Sequence, residues 1–393
     1  MIQGLATSIA AFFLINLAAG LVLYSIFESA TLNNDIEAIS SLLLLASGFF
    51  TIALLLIPPI LLSISRFMGW SLPGWFTSLR LPPLGALILA YPLILLGGYW
   101  LSTQAVAALL ILPIFHIAAI SIPILAILHL SLKGISEVSL QRRWGALSVG
   151  LTLSPLLIFI MEILATLLPF GLIALWVSLD SERFRQLNQL TRTLQQPLEN
   201  PQAVLEILEP YLSDPSLILT FLFFAALVVP LIEEAIKPLG VWFLYGRTRG
   251  ALGGFVTGAL CGAGYALLES FLLGSSNTDW IVAVIGRSGT GAIHIFTSAL
   301  VGSALTAAWQ SNRYFRLFLA YLIAVFFHGV WNGSTILFAL RSLSTAEQGF
   351  WLWPLTHNLA TIAPLTILLL ACLAIWGLWS FNRQFRKELS GRN

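Results

Sequence analysis

Apolar residues in this chain run for about twenty positions at a time, the length an α-helix needs to cross a hydrocarbon layer roughly 30 Å thick. Ten such runs can be marked, at residues 4–27, 39–65, 84–101, 105–132, 147–168, 217–245, 252–273, 289–309, 315–340 and 355–380. None alternates apolar and polar residues with the period of two that a barrel strand requires. In lipid only helices and closed barrels satisfy their own backbone hydrogen bonds. The pattern therefore predicts an all-α fold, a polytopic helical bundle of about ten transmembrane helices. The first run has no basic segment before it and no small-residue cleavage site after it, so it is expected to remain as the first span.

One long connection interrupts the series. Residues 179–215 read as short amphipathic helices broken at Pro197, Pro201 and Pro210 and lying on the membrane surface. This segment suggests four regions: 1–178, an N-terminal membrane region of about five helices; 179–216, an outer amphipathic loop; 217–345, a core of four helices; and 346–393, a final helix with a basic tail.

Composition agrees with a bilayer environment. Of 393 residues, 58% are hydrophobic and 9% charged, with a mean hydropathy of +0.92, whereas soluble domains carry about a quarter charged residues. The formal charge of +2 and the single, scattered Lys and Arg residues exclude a nucleic-acid surface. Cys261 and Cys372 sit in apolar runs without metal-ligand spacing and read as small core residues. The basic residues are not evenly shared between the two sides. Arg66, Arg80, Lys133, Arg142, Arg143, Arg247, Arg249, Arg313, Arg316, Arg383, Arg386, Lys387 and Arg392 fall on one side, whereas the opposite short loops carry Glu28, Asp35 and Glu37, then Asp279 with Arg287, then Arg341 with Glu347. The long connection on that side, which counts weakly, carries Arg183, Arg185 and Arg192. The positive-inside rule puts the basic side, and with it both termini, in the cytoplasm.

Ionisable residues inside the spans concentrate after residue 216. A charge at the bilayer centre costs several kcal/mol, so each marks a candidate site. In LIEEAIKPLG, Lys237 lies four residues after Glu233 and three after Glu234, within reach of both on a helix surface. Pro238 removes a helical hydrogen bond and is expected to kink the segment. The pair can be read as an acid and a base with separated roles or as a buried structural ion pair. Tyr265 and Glu269 are one turn apart on the glycine-rich seventh run, where Gly258 and Gly262 offer a small-residue face. Arg287 stands at the entrance of the eighth run, with His294 two turns further in. On the ninth, His328 and Asn332 project together at i and i+4. His116, His129 and Glu162 stand apart from this group, in the first half of the chain.

The order of these motifs resembles the PrsW family of intramembrane proteases, related to the CAAX prenyl endopeptidases and bacteriocin-processing membrane proteases. The residues that carry the likeness are EExxK at Glu233 to Lys237, aromatic-xxx-E at Tyr265 to Glu269, His294 followed by small residues, and HxxxN at His328 to Asn332. Two features depart from the family pattern: Tyr265 stands where Phe is usual, and the N-terminal half has no counterpart. The resemblance implies an endopeptidase acting on a membrane-anchored protein, such as an anti-sigma factor cut on its outer side, in the plasma (inner) membrane of a bacterium.

Residue chemistry gives the same sites a mechanism. Glu233 or Glu234 takes a proton from water as it attacks the scissile carbonyl, His328 and Asn332 stabilise the oxyanion, and His294 and Glu269 complete the polar cavity. Lys237, Tyr265 and Arg287 support them. A divalent metal such as zinc could be held by His294, His328 and Glu269, although no HExxH motif is present. A secondary transporter with a midplane polar site, or a membrane packing or binding protein without catalysis, would use similar residues.

The charge asymmetry predicts topology directly. Reporters fused after Arg249, after Arg316 and at the C-terminus should report cytoplasm, and fusions near Gln195 and Gly349 should report the outside. A cytoplasmic signal near Gln195 would contradict the ten-span arrangement.

Overall fold

The computed structural model describes residues 2–30, 35–73, 82–135, 138–194, 215–247, 250–272, 279–343 and 354–391. The expected surface-helix breaks at Pro197, Pro201 and Pro210 lie outside the described residues. Among those described there are only helices and their connections, and ten helices are long and apolar enough to cross a membrane. The polytopic all-α reading holds.

The helices are α1 (Ile2–Ser29), α2 (Ile36–Leu55), α3 (Ile57–Met68), α4 (Leu84–Ser102), α5 (Ala105–Leu110), α6 (Leu112–Leu132), α7 (Leu140–Leu151), α8 (Leu153–Ser178), α9 (Ser181–Leu194), α10 (Pro215–Phe223), α11 (Val229–Ile236), α12 (Leu239–Trp242), α13 (Gly250–Phe271), α14 (Trp280–Ser311), α15 (Tyr314–Leu343) and α16 (Pro354–Ser390). Several expected spans are subdivided, each at an identifiable cause. The second breaks at Leu56, just before Pro58 and Pro59, and the fourth at Ile111, before Pro113. A prolyl ring cannot donate to the preceding turn. The last span is longer than expected, because the basic tail continues as helix through Lys387.

The chain divides into two compact units, one comprising 1–156, 234–327 and 368–393, the other 157–233 and 328–367. In the first, α13 and α14 are the interior elements. The apolar windows of both are 83% buried, against 17% for α1 and α4, whose exposed Leu, Ile and Phe side chains suit contact with lipid.

Glycine makes the α13–α14 contact possible. A Cβ on Gly258 would lie 2.1 Å from the Ser298 carbonyl oxygen, and one on Gly262 would lie 2.3 Å from that of His294. The two backbones meet at a distance that only glycine allows, as small-xxx-small pairs permit in membranes. At the end of this pair where α14 begins, Trp280 is fully buried among Leu44, Leu101 and Leu112, and its indole Nε1 donates to His116 Nδ1 at 3.1 Å. Nδ1 of His116 is thus held by a tryptophan, while its buried Nε2 has no hydrogen-bond partner among the described residues. At the opposite end, Asn382 of α16 donates to the carbonyls of Ser131 and Lys133, capping α6.

In the second unit, the α10–α11 segment contains a π-turn over Phe224–Val228. A π-turn shifts the hydrogen-bond register and frees a carbonyl. The amide of Asn332 on α15 donates to one such oxygen, that of Ala225, at 3.0 Å.

The seam at Gly262 yields a stability test. Gly262→Ala should lower the unfolding free energy by about 1–3 kcal/mol, the usual cost of an overpacked contact. Gly20→Ala on α1, where a Cβ meets nothing within 4 Å, should leave it unchanged. Thermal melting in detergent checks both.

Candidate active site

Pro238 shapes the first part of the site. It has no N–H, so α11 ends at Ile236 and a new single turn starts at Leu239. The helix is broken rather than only kinked. The Val241 amide bonds back to Pro238, and the Lys237 carbonyl instead accepts from the hydroxyl of Ser154 at 3.3 Å. Sequence reasoning missed Ser154. Its signal is the polar Thr152, Leu153, Ser154, Pro155 step at the start of an otherwise apolar helix.

Lys237 is wholly buried. Its Nζ lies 2.5 Å from Glu234 Oε1 and 2.8 Å from His294 Nδ1, and 5.5 Å from the centre of the Tyr265 ring. Glu234 is equally buried, and His294 is 1% exposed. Tyr265 meets the His294 ring edge-on, with centroids 5.1 Å apart. On the other side of that ring, Nε2 lies 2.6 Å from Glu269 Oε2, and Glu269 Oε1 accepts from Arg287 at 2.6 Å. Three helices thus contribute to one chain of groups: Glu234, Lys237, His294, Glu269, Arg287.

This chain fixes the imidazole. A lysine ammonium can only donate, and a carboxylate can only accept. Nδ1 of His294 therefore accepts from Lys237, and Nε2 carries the hydrogen that points to Glu269. A second group missed in the sequence lies nearby, where the Tyr91 hydroxyl is 2.6 Å from that of Ser288, the neighbour of Arg287.

Glu233 is one residue before Glu234, about 100° around the helix, so the two carboxylates leave it in different directions. Glu233 Oε2 lies 3.8 Å from His328 Nε2, and both residues are buried. Their separation is too long for a direct hydrogen bond. It suits two donors bound to one intervening atom. Two ligands about 2.1 Å from a zinc ion at tetrahedral or wider angles stand roughly 3.4–3.8 Å apart. Asn332, one turn after His328, spends one amide hydrogen on Ala225 and retains the other.

Residues 203–381 match the family model of the PrsW family intramembrane metalloproteases. The chain carries a PrsW-type, membrane-embedded peptidase domain. The match spans a little under half of the chain and takes in every motif from Glu233 to Asn332. No curated protein and no solved structure matches.

For the metal that the PrsW family name implies, Glu233, His294 and His328 offer one carboxylate and two imidazole nitrogens, a donor set of the kind zinc accepts. This set differs in one member from the His294, His328 and Glu269 expected from sequence. Both oxygens of Glu269 are engaged, one by Arg287 and one by His294, and both nitrogens of His294 are engaged as well, by Lys237 and Glu269. Spacing along the chain could not separate Glu233 from Glu269, because the partners that distinguish them, His328 and Arg287, come from other helices.

The buried ion pair is directly testable. Lys237→Met leaves the Glu234 carboxylate without its ammonium and should cost about 3–5 kcal/mol. The double change Lys237→Met/Glu234→Gln should cost less than the sum of the two single changes. Additive costs in a double-mutant melting cycle would show that the two groups act independently.

Proposed function

We propose that this PrsW-type peptidase cleaves a membrane-anchored protein with Glu233 as the water-activating group, and that Glu234 is the fixed partner of Lys237. The observation that carries this assignment is the division of the adjacent carboxylates. Glu234 is spent on a fully buried ammonium, while Glu233 faces His328 across 3.8 Å. A water between Glu233 and His328 can donate to the carboxylate, which takes its proton as the oxygen attacks the scissile carbonyl. His328 then holds or returns a proton at the reacting oxygen, and the remaining amide hydrogen of Asn332 donates to the developing oxyanion. Lys237 and Glu269 grip the two nitrogens of His294 and orient its ring.

A divalent metal such as zinc would be held by Glu233, His294 and His328. When bound, it supplies Lewis acidity and a water of lowered pKa. His294 can contribute Nδ1 only when the Lys237 ammonium withdraws from it, because that nitrogen has a single lone pair.

The substrate class is a single-pass or otherwise membrane-anchored regulatory protein, resembling an anti-sigma factor, in a bacterial plasma membrane. Its support is the family match together with a site built wholly on apolar spans. A soluble protein has no route to such a site.

Glu233→Gln should fold and melt as the parent does while cleaving at least a few hundredfold more slowly, the scale expected for a lost general base. Glu234→Gln should instead reduce stability. The assay compares membrane proteins from cells carrying either form, because the true substrate accumulates uncut only when Glu233 is replaced. Metal content, measured on the purified protein, should fall in His328→Ala. Unchanged cleavage in Glu233→Gln would overturn the assignment.

A further inference from the structure

Away from the Lys237 network, the first unit contains a cavity of about 900 Å³, within the range of small-molecule sites. Its lining includes three arginines from separate elements. Arg66 lies in the last turn of α3, Arg142 in the first turn of α7, and Arg247 in the turn after α12. All three are exposed. Among the described residues no Asp or Glu lines the cavity.

The hydrogen bonds of these arginines leave their charge uncompensated. Arg66 donates to the neutral amide oxygen of Gln141 at 3.0 Å, and Arg142 donates to the backbone carbonyl of Arg247 at 3.4 Å. The second bond brings Arg142 alongside the Arg247 segment, an arrangement of like charges that calls for an anion. A smaller adjoining space of about 460 Å³ shares Arg66 and Arg247 and extends along α3 past Phe67. The rest of the cavity lining includes hydroxyl and apolar groups, among them Thr152, Thr257, Phe243 and Leu244.

We propose that this cavity binds the phosphate headgroup of an anionic phospholipid from the leaflet on the arginine-rich side. Guanidinium forks match phosphate oxygens in charge and geometry. Basic pockets between transmembrane helices suit such headgroups, and the positive-inside rule puts this face toward the anionic cytoplasmic leaflet. The hydroxyls of Thr152 and Thr257 donate their hydrogens to the carbonyls of Ser148 and Gly253, so their oxygens accept from the free hydroxyls of a glycerol headgroup, and Phe243 and Leu244 take the start of an acyl chain. Gly240 in the cavity wall lies three residues after Lys237, so the bound headgroup braces the broken helix that carries the buried ammonium. The shared recognition chemistry is a phosphate group, and a free phosphate ion is the competing source.

The test uses the full chain, purified in neutral detergent and titrated separately with phosphatidylglycerol, phosphatidylcholine and inorganic phosphate. Retained lipid is read by native mass spectrometry, and stability by thermal melting. Phosphatidylglycerol should bind and raise the melting temperature, and the other two should do neither. Arg66→Gln/Arg142→Gln/Arg247→Gln should weaken phosphatidylglycerol binding about a hundredfold, at about 1 kcal/mol per arginine. Arg313→Gln/Arg316→Gln/Arg383→Gln, which removes equal charge on the same side outside the cavity, should change it less than about threefold. An equal loss in both triple variants would reduce the effect to general surface charge and overturn the site. Equal stabilisation by inorganic phosphate would overturn the lipid. If the cavity triple variant fails to fold, Arg142→Gln alone should still weaken binding about fivefold, and unchanged affinity in that variant overturns the proposal.

Discussion

The buried ammonium of Lys237 is the constraint on which the first unit's interior depends. A lone cation in hydrocarbon costs far more than one residue's packing can return, so every element near it is arranged to supply a partner. Glu234 provides the charge, one helical turn away. His294 provides an acceptor, brought close because Gly262 lets α13 lie directly on the His294 backbone. Glu269 then orients His294 and is itself balanced by Arg287. With His294 neutral, the five groups carry two negative and two positive charges. The network closes electrically before it reaches the lipid.

That closure has a chemical consequence. Both oxygens of Glu269 are engaged, and one oxygen of Glu234 is held by the Lys237 ammonium, so each of these carboxylates is fixed in place by a cation. Glu233 stands in a different position. It shares a helix with Glu234 yet leaves it on another face, toward His328, at a distance that admits one bridging atom. In the proposed reading, one carboxylate of the EE pair secures the scaffold and the other does the chemistry. Lys237 also bears on metal binding, because its ammonium lies on Nδ1 of His294 while Glu269 lies on Nε2, so a metal at either nitrogen would displace a partner.

The helix breaks serve the same arrangement. Pro238 ends α11 at Ile236, so the following turn can diverge, and Ser154 takes the Lys237 carbonyl thus left over. The π-turn at Phe224–Val228 frees the Ala225 carbonyl that anchors Asn332. Irregular backbone at membrane depth is tolerated where protein side chains satisfy it.

The sequence by itself determined the solvent, the helical class and the ten spans, because apolar length and charge exclusion act locally and leave a direct imprint on the chain. It also marked the residues of the site, since an ionisable group inside an apolar run is conspicuous without any structure. Proline positions carried part of the helix breaks: Pro238 announced one, whereas the π-turn has no such signal. What only the tertiary structure decided was the pairing. Glu233, Glu234 and Glu269 are equivalent as letters, and no spacing distinguishes the carboxylate that meets Arg287, the one that meets Lys237 and the one that faces His328. Arg287 and His328 come from other helices than the carboxylates they meet, and the approach of α14, which carries Arg287, to α13, which carries Glu269, is set by backbone contacts at Gly258 and Gly262. Arg66, Arg142 and Arg247 likewise count in the sequence only as positive-inside residues. Their convergence on one cavity arises from the packing of three elements far apart in the chain, a non-local fact that no local pattern encodes.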